Sequence, residues 1–250
     1  MSLWTFPLNT LMSMRCDVLL FGRNIFKEAL LARASISEVF VETKSAYEWL
    51  QSAAPALPSH CKIEEGIPPS FKNENHQGIV FRTNHAFYKT YDASELRRHS
   101  RIILCNHMED VHNLGSTTRI AAAFGATLIV HEKDRSASVT PAVVKSSAGC
   151  AFQVSFTKVD RLETPLQLLK REGWEIVGLD LSESAAPLYS WNPKPKLAIV
   201  LGSEGFGLEE ANKLLCTQLI HIPMEAHVES LNVSHAASVV MSWVYSSTAK

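Results

Sequence analysis

The stretch LAIVLGSEGFGL, residues 197–208, decides the fold class of the second half of this 250-residue chain. Its five leading apolar residues predict a buried strand, and the glycines that follow predict a loop whose backbone can approach a ligand closely. Gly202, Gly205 and Gly207 do not have the GxGxxG spacing of a dinucleotide site, and Ser203 does not lie in a GxSxG nucleophile turn. The stretch therefore predicts a ligand-binding loop of another kind.

Strands alternate with helices on both sides of this stretch, from residue 101 to the end of the chain. Apolar runs such as RIILCN (101–106) and TLIVHE (127–132) predict buried strands, and the segments between the strands have the apolar spacing of helices. The tetrapeptide TPLQ (164–167) has the form of a capping box, which predicts that a helix begins there with Thr164 as its N-cap. This alternation predicts an α/β domain with a mostly parallel sheet over residues 101–250.

The first part of the chain is organised differently. Residues 1–14 are apolar but lack a basic segment, so they predict a leader rather than a signal peptide or a membrane span. Residues 15–84 alternate helical and strand patterns, and they predict a small α/β domain. Residues 85–100 are polar and mixed, and they predict a linker that contains a short helix.

Composition and charge limit the classes of protein that fit the chain. A hydrophobic content of 46% with balanced charge predicts a globular protein with a sizeable core. A net charge of −1 argues against a protein that coats nucleic acid non-specifically, because such binding depends on neutralising phosphates. The five cysteines are scattered without a CxxC pair, which predicts neither a disulfide framework nor a zinc site and favours the reducing cytoplasm.

A candidate phosphate site lies in the segment NHMEDVHNLGSTTRIAAAFGA, residues 106–126. Asn113 and Arg119 fall six residues apart, with Gly115 between them, in the early turns of a predicted helix. Backbone N–H groups and the partial positive charge of a helix start favour a phosphate, and the forked guanidinium adds donors that match phosphate oxygens. Taken alone, the segment fits either a phosphate-binding helix start or a helix-capping Asn113 with a surface Arg119.

A second candidate site lies in HIPMEAHVESLNVSHAASVV, residues 221–240. Pro223 removes a backbone donor and stiffens the turn after a predicted strand, so this loop can offer free backbone groups and apolar contacts to an adenine. Ser230 and Asn232 follow at a predicted helix start, where both residue types are natural caps. Capping and ligand binding are compatible roles at such a position.

Taken in order, these three segments resemble the signature motifs of the SpoU, or TrmH-like, class of RNA 2′-O-ribose methyltransferases in the SPOUT superfamily. The resemblance implies that S-adenosylmethionine donates a methyl group to a ribose hydroxyl of RNA and that no metal is required. It implies a catalytic set of Asn113, Arg119, Glu204, Ser230 and Asn232. It also implies a cofactor site formed by Leu201, Gly202, Gly205, Ile222, Met224, Ser230, Leu231 and Asn232.

The same resemblance extends to the fold and the partners. It implies a C-terminal SPOUT domain with a trefoil knot, and a homodimer whose active site is completed at the subunit interface. The pieces FGRN, EAL and HQGIV within residues 15–84 resemble an N-terminal RNA-recruiting domain with a fold like that of ribosomal protein L30e. Structured RNA is the implied substrate, and ribosomal RNA is favoured over transfer RNA because this N-terminal domain resembles those of rRNA-modifying relatives.

Arg119 is the residue that the resemblance ties most closely to catalysis. A guanidinium hardly ever loses its proton, so we predict that Arg119 binds a phosphate and stabilises the developing alkoxide instead of acting as the general base. The chain contains ten histidines, but no HxxxH or HExxH pattern occurs among them, so no metal site is predicted.

Two departures from the family pattern leave an alternative open. Ala226 stands where the family usually has glycine, and Ser116-Thr117-Thr118 replaces a run that is usually apolar. Both leave room for a catalytically silent RNA-binding protein of the same fold, whereas retention of the catalytic set favours an enzyme. A nucleotide-dependent oxidoreductase is the third possibility, and the glycine spacing argues against it.

Overall fold

The chain folds around two β-sheets. The structure is a computed structural model that describes residues 17–248 except positions 56, 59 and 226, so the predicted leader at residues 1–14 lies outside the described residues. A four-stranded sheet comes from residues 18–83, and an eight-stranded sheet comes from residues 88–221. Within the described part of the chain, no helix is long and apolar enough to cross a membrane.

The small sheet mixes antiparallel with parallel pairing. Its strands are β1 (Val18–Phe21), β2 (Ile36–Val41), β3 (Lys62–Glu65) and β4 (Ile79–Thr83). The strands lie in the order β1-β4-β2-β3, and the helices that connect them are α1 (Arg23–Leu31) and α2 (Lys44–Ala53). The side chain of Thr43 caps α2 by accepting a hydrogen bond from the backbone N–H of Ala46 at 3.2 Å.

Every strand pair of the large sheet is parallel, which confirms the mostly parallel α/β sheet that the sequence predicted. Its first four strands are β5 (Tyr88–Lys89), β6 (Arg101–Cys105), β7 (Leu128–Glu132) and β8 (Ser155–Val159). Its last four are β9 (Glu175–Leu179), β10 (Ala186–Pro187), β11 (Leu197–Leu201) and β12 (Gln218–His221). The central strands are almost entirely buried, because helices cover both faces.

Helices on both faces of the large sheet give this part of the chain three layers. The helices are α3 (Ala93–Arg97), α4 (Val111–Ala123), α5 (Pro141–Ser146), α6 (Glu163–Arg171), α7 (Glu210–Lys213) and α8 (Val233–Thr248). Leu114 of α4 and Val240 of α8 belong to one hydrophobic core, whereas Leu96 of α3 and Leu166 of α6 belong to another. The sheet therefore separates two cores.

The strand order reverses next to β6. From β6 the chain adds β7 and β8 on one side and then crosses back, so that β9, β11 and β12 lie on the other side. β11 is inserted between β6 and β9, although both of those strands precede it in sequence. Loops that leave the carboxyl ends of strands at such a reversal form a ligand-binding crevice in α/β sheets. A site is therefore expected where β6, β11 and β9 end.

The predicted capping box at residues 164–167 is wrong. α6 begins at Glu163, with Leu162 at the N-cap position and no side-chain cap, so Thr164 lies inside the first turn. Leu162 is fully buried, and its backbone N–H donates to Glu132 Oε1 at 3.3 Å. This contact with β7 starts the helix earlier than the local sequence indicates.

Direct contacts join the small sheet to the large one. Gly149 follows α5 with a φ of 89°, and a Cβ at this position would lie 2.9 Å from Glu28 Cγ, so α1 packs closely on the turn. Lys145 of α5 forms an ion pair with Glu74 at 2.6 Å and lies 4.6 Å from the ring centroid of Phe21. Residues of the small sheet and its helices therefore hold α5 and the turn that follows it.

A buried polar network ties β5 to β7. Tyr88 Oη lies 3.1 Å from His131 Nε2, and His131 Nδ1 lies 3.2 Å from the backbone oxygen of Glu132. Both contacts fit a neutral imidazole with its proton on Nδ1. Burial, helped by the charge of Lys158, lowers the pKa of His131 from 6.5 to about 4. The predicted linker at residues 85–100 thus contributes a strand to the large sheet as well as the short helix α3.

We expect His131 to make the protein sensitive to mild acid. The unfolded chain takes up a proton near pH 6.5, whereas the folded chain resists protonation of His131 until about pH 4. The contribution of His131 to the free energy of unfolding is therefore constant above pH 6.5 and falls by roughly 3 kcal/mol as the pH drops from 6.5 to 4. Urea denaturation across this range should show a smaller loss in His131→Gln, whose amide oxygen still accepts from Tyr88. Equal losses in both proteins would contradict this role for His131.

Candidate functional site

Three segments that are distant in sequence meet at one carboxylate. The side-chain amide of Asn113, in the first turn of α4, donates to Glu204 Oε1 at 2.7 Å, and the amide of Asn232 donates to the same oxygen at 2.7 Å. Asn232 Nδ2 also donates to Asn113 Oδ1 at 3.0 Å. We call Asn113, Glu204 and Asn232 the triad, in which two amides fix the orientation of a single carboxylate.

Helix starts position the two amides of the triad. Asp110 caps α4 by accepting from the backbone N–H of His112 at 2.7 Å, and the buried Asn113 follows in the first turn. Asn232 precedes α8, and its Oδ1 accepts from Ser234 N at 2.9 Å and from Ser234 Oγ at 2.7 Å. The predicted capping role of Asn232 is confirmed, while its Nδ2 remains available to the triad.

A cavity of about 620 Å³ lies beside the triad, at the carboxyl ends of β9, β11 and β12. A volume of this size is typical of small-molecule sites. Both Glu204 and Asn232 of the triad line the cavity, and so do all the residues that the sequence predicted for the cofactor. These are Leu201, Gly202, Gly205, Ile222, Met224, Ser230, Leu231 and Asn232.

The glycine loop, residues 202–207, has a tight backbone geometry. Ser203 and Gly207 exchange backbone hydrogen bonds of 2.9 and 3.1 Å, and Gly205 and Gly207 adopt φ angles of 87° and 69°. A Cβ on Gly202 would lie 2.4 Å from the carbonyl carbon of Gly207, so only glycine fits there. The loop therefore requires glycine at three positions, and all three line the cavity.

The cavity also contains residues that the sequence reasoning missed. Asp180 follows β9, lines the cavity and pairs through Oδ1 with Lys213 Nζ at 3.0 Å. Burial opposes ionisation of this carboxyl, but contacts with Ser182 and Lys213 hold the pKa of Asp180 below its usual range. Phe206 stands in the glycine loop with 86% of its surface exposed. The sequence could have indicated Asp180, because it is an acidic residue directly after a strand of a parallel sheet. Ligands bind at the carboxyl ends of such strands.

Arg119 is not part of the triad. It lies six residues after Asn113 in α4, which turns its side chain about 120° around the helix axis and shifts it about 9 Å along the axis. Arg119 is exposed. Its charge acts on Cys150, which lies after α5. The pKa of Cys150 is raised by burial and by the Glu28 carboxylate, and the charge of Arg119 opposes that rise. Of the predicted catalytic set, the structure brings four residues to the cavity or the triad and leaves Arg119 on another face of α4.

Histidines near the site have partners within the protein. His107 lies 3.2 Å from Glu132 and 2.9 Å from Glu209, and His221 Nδ1 lies 2.9 Å from the backbone oxygen of Ala185. In the part of the chain that the structure describes, no group of three or more His, Cys, Asp or Glu side chains is arranged to hold a metal ion.

Sequence comparisons relate the chain to known RNA methyltransferases. The profile of the SpoU rRNA methylase family matches residues 100–242. A Staphylococcus epidermidis protein named as a TrmH family tRNA/rRNA methyltransferase is 31% identical over 238 residues, which cover 92% of this chain and 95% of that protein. The 23S rRNA (guanosine-2′-O-)-methyltransferase RlmB of Acinetobacter baylyi is 34% identical over 171 residues, which cover 66% of this chain and 69% of that protein.

Solved structures share the fold. The SpoU methyltransferase AviRb from Streptomyces viridochromogenes superposes with a TM-score of 0.77 at 19% identity, covering 92% of this chain and 89% of AviRb. The complex of AviRb with its cofactor AdoMet superposes with a TM-score of 0.75 at 20% identity, covering 92% of this chain and 90% of AviRb. Together with the family profile and the sequence identities, these findings show that the chain belongs to the SpoU rRNA methylase family.

We expect Asn232 to contribute to stability as well as to the site. Asn232→Ala removes the cap of α8 and two contacts of the triad, so the free energy of unfolding should fall by about 1–2 kcal/mol. Ser230→Ala is the matched control, because Ser230 precedes the same helix and lines the same cavity, while the cap contact belongs to Asn232. Urea denaturation of both variants measures the difference. Equal stability of the two variants would show that the cap contact contributes nothing.

Proposed function

We propose that the protein is an S-adenosylmethionine-dependent methyltransferase that acts on a ribose 2′-hydroxyl of structured RNA. The observation that carries this proposal is the triad beside the cavity, because it unites residues from all three segments that resemble the SpoU motifs. Family membership supports methyl transfer to RNA. The name of RlmB, a guanosine-2′-O-methyltransferase, supports the ribose oxygen as the acceptor.

The cavity suits S-adenosylmethionine. Leu201, Ile222 and Leu231 offer apolar surface to an adenine, and Gly202 lets the backbone approach a ligand closely. Asp180 adds a carboxylate that can accept hydrogen bonds from hydroxyl or ammonium groups. When bound, this cofactor supplies an activated methyl group on a sulfonium centre. The complex of AviRb with AdoMet supports the same cofactor here.

The triad suits a reaction at a ribose hydroxyl. Glu204 Oε1 accepts from two amides, so Oε2 is the oxygen that can accept a hydrogen bond from a 2′-hydroxyl and fix its rotation. Ser230 lines the same cavity and offers a hydroxyl as donor or acceptor. Holding the reacting oxygen in line with the methyl donor is a large part of what an enzyme contributes to such a displacement.

Arg119 acts from a second copy of the chain in this proposal. Its position on α4 leaves it outside the triad of its own copy, whereas a homodimer can bring it to the triad of the partner. There the guanidinium keeps its proton, binds a phosphate and stabilises the alkoxide, and the hydroxyl proton leaves to phosphate or water. Tyr245 of α8 is half exposed and lies 6.0 Å from Phe124 between ring centroids, which supports an apolar interface at the ends of α4 and α8.

The fold and the domains follow the same family in this proposal. The trefoil knot rests on the family resemblance, and the insertion of β11 between two strands that precede it in sequence is compatible with it. The mixed sheet with α1 and α2 supports an L30e-like RNA-binding domain at residues 15–84, followed by a linker at 85–100 and the catalytic domain at 101–250. Ribosomal RNA is the favoured substrate, which the name of RlmB supports.

A catalytically silent RNA-binding protein is the alternative. Ala226, one of the two departures from the family pattern, lies outside the described residues. The other departure is the run Ser116-Thr117-Thr118. In it Thr117 and Thr118 are fully buried, and Thr118 Oγ1 donates to the backbone oxygen of Leu114 at 2.7 Å. This part of the polar run in α4 therefore serves helix packing, which argues against a changed substrate contact there.

Methyl transfer to RNA tests the proposed function. Wild-type protein should transfer labelled methyl groups from S-adenosylmethionine to unmodified rRNA, with the label in alkali-resistant dinucleotides, because a methylated 2′-oxygen blocks cleavage at its own phosphate. Arg119→Ala should lower the rate by about 100-fold or more. Arg98→Ala is the control, since Arg98 is an exposed cation that pairs with Glu95 at 2.9 Å, and it should keep full activity.

Label in ordinary mononucleotides would mean base methylation and would end the ribose assignment. Cofactor binding without transfer would favour the silent RNA-binding protein.

Mixed dimers test whether Arg119 acts across an interface. Arg119→Ala and Glu204→Gln should each be inactive alone, because each lacks one part of the site. When the two variants are co-expressed, half of the dimers are mixed and each mixed dimer has one intact site, so about a quarter of wild-type activity should return. A site formed within one chain would give no recovery on mixing, and that result would contradict the dimeric site.

A further inference from the structure

A buried asparagine holds both ends of the glycine loop. Asn106 follows β6 and is fully buried. Its backbone N–H donates to the backbone oxygen of Leu201 at 2.9 Å, directly before the loop, and its Oδ1 accepts from the backbone N–H of Glu209 at 3.1 Å, two residues after the loop ends. One side chain and its own backbone therefore fix the span of residues 202–208, which carries Glu204.

The next residue extends this contact to two carboxylates. His107 Nε2 lies 2.9 Å from Glu209 Oε1, and His107 Nδ1 lies 3.2 Å from Glu132 Oε2. Glu132, at the end of β7, is 4% exposed, and the same oxygen accepts from Asn106 Nδ2 at 3.1 Å. Residues from β6, β7 and the start of α7 thus form one network, separate from the triad.

A proton count assigns a charge to His107. A neutral imidazole has a single N–H, so it can donate to only one of two carboxylates, and its other nitrogen would point a lone pair at the second. Each ring nitrogen of His107 lies within 3.2 Å of a carboxylate oxygen. The contact between Nδ1 and Glu132 is an ion-pair contact and not an aligned hydrogen bond. The arrangement is therefore favourable when both nitrogens carry protons.

The backbone of His107 also lies outside the φ/ψ regions that most residues adopt. Its φ of 50° lies in the left-handed region, which is costly for a residue with a side chain. Such a conformation persists where the surroundings hold it in place, and the contacts of His107 with Glu132 and Glu209 do so. This conformation lets consecutive residues, Asn106 and His107, reach the same pair of partners.

We propose that Asn106, His107, Glu132 and Glu209 form a loop clamp, a set of positioning residues that holds the glycine loop and so aligns Glu204 with Asn113. The clamp rests on the proposed function for its effect on catalysis, but its effect on the loop does not. Its charge pattern is an imidazolium between the carboxylates of Glu132 and Glu209.

His107→Gln tests the clamp, because a glutamine amide keeps N–H donors but carries no charge. His99→Gln is the matched control. The His99 side chain is 10% exposed, against 14% for His107, and it lies 3.5 Å from Glu95, but it precedes β6 while the clamp follows it. A general effect of replacing a buried, carboxylate-paired histidine should appear in both variants.

We expect two differences between the variants. Amides of residues 202–209 should exchange with solvent faster in His107→Gln than in His99→Gln, at similar thermal unfolding midpoints. The kcat for methyl transfer should fall by about tenfold or more in His107→Gln only, since a small misplacement of a reacting group is costly.

Ring nitrogen chemical shifts of His107, measured by NMR at neutral pH, should report two protonated nitrogens. A neutral ring, or equal amide exchange in the two variants, overturns the loop clamp. If wild-type protein transfers no methyl group, the proposed function fails, yet the ring shifts and the amide exchange still decide the clamp. Should His107→Gln fail to fold, Glu209→Gln removes only the more exposed carboxylate of the clamp and allows the same comparison.

Discussion

The insertion of β11 between β6 and β9 is the constraint on which the rest of the structure depends. Because every pair in the large sheet is parallel, the loops that follow the strands collect at one edge. Asn113 comes after β6, Glu204 after β11 and Asn232 after β12, so this edge gathers the triad. With β11 on the outside of the sheet, the same three residues would lie too far apart to share a carboxylate.

Two neighbouring residues at the end of β7 illustrate how partners decide charge. His131 is buried against Tyr88 and a backbone oxygen, and burial lowers its pKa to about 4, so its ring stays neutral. Glu132, the next residue, points to the other side of the strand and meets Asn106 and His107 there. On one side of β7 the buried ring of His131 therefore stays neutral, whereas on the other side the carboxylate of Glu132 is paired.

Local sequence patterns predicted the central strands, but not the start of α6 or the strands β3 and β5. The apolar runs of the central strands and the glycines after β11 have direct physical causes in burial and backbone freedom, so the sequence indicates them correctly. The capping box at residues 164–167 was wrong because a contact between Leu162 and Glu132 starts α6 earlier. Strand β3 has all four residues exposed, and β5 has only two residues, so neither has a pattern that periodicity can detect.

By itself, the sequence determined the parallel α/β class, the three binding segments and part of the cavity lining, because these depend on local composition and on the order of strands and loops. Only the tertiary structure decided which residues meet: that Asn113, Glu204 and Asn232 share a carboxylate, that Arg119 does not join them, and that Asn106 holds the glycine loop. The physical reason is strand order. Contacts between segments about a hundred residues apart depend on which strands become neighbours, and side-chain periodicity carries no information about that choice.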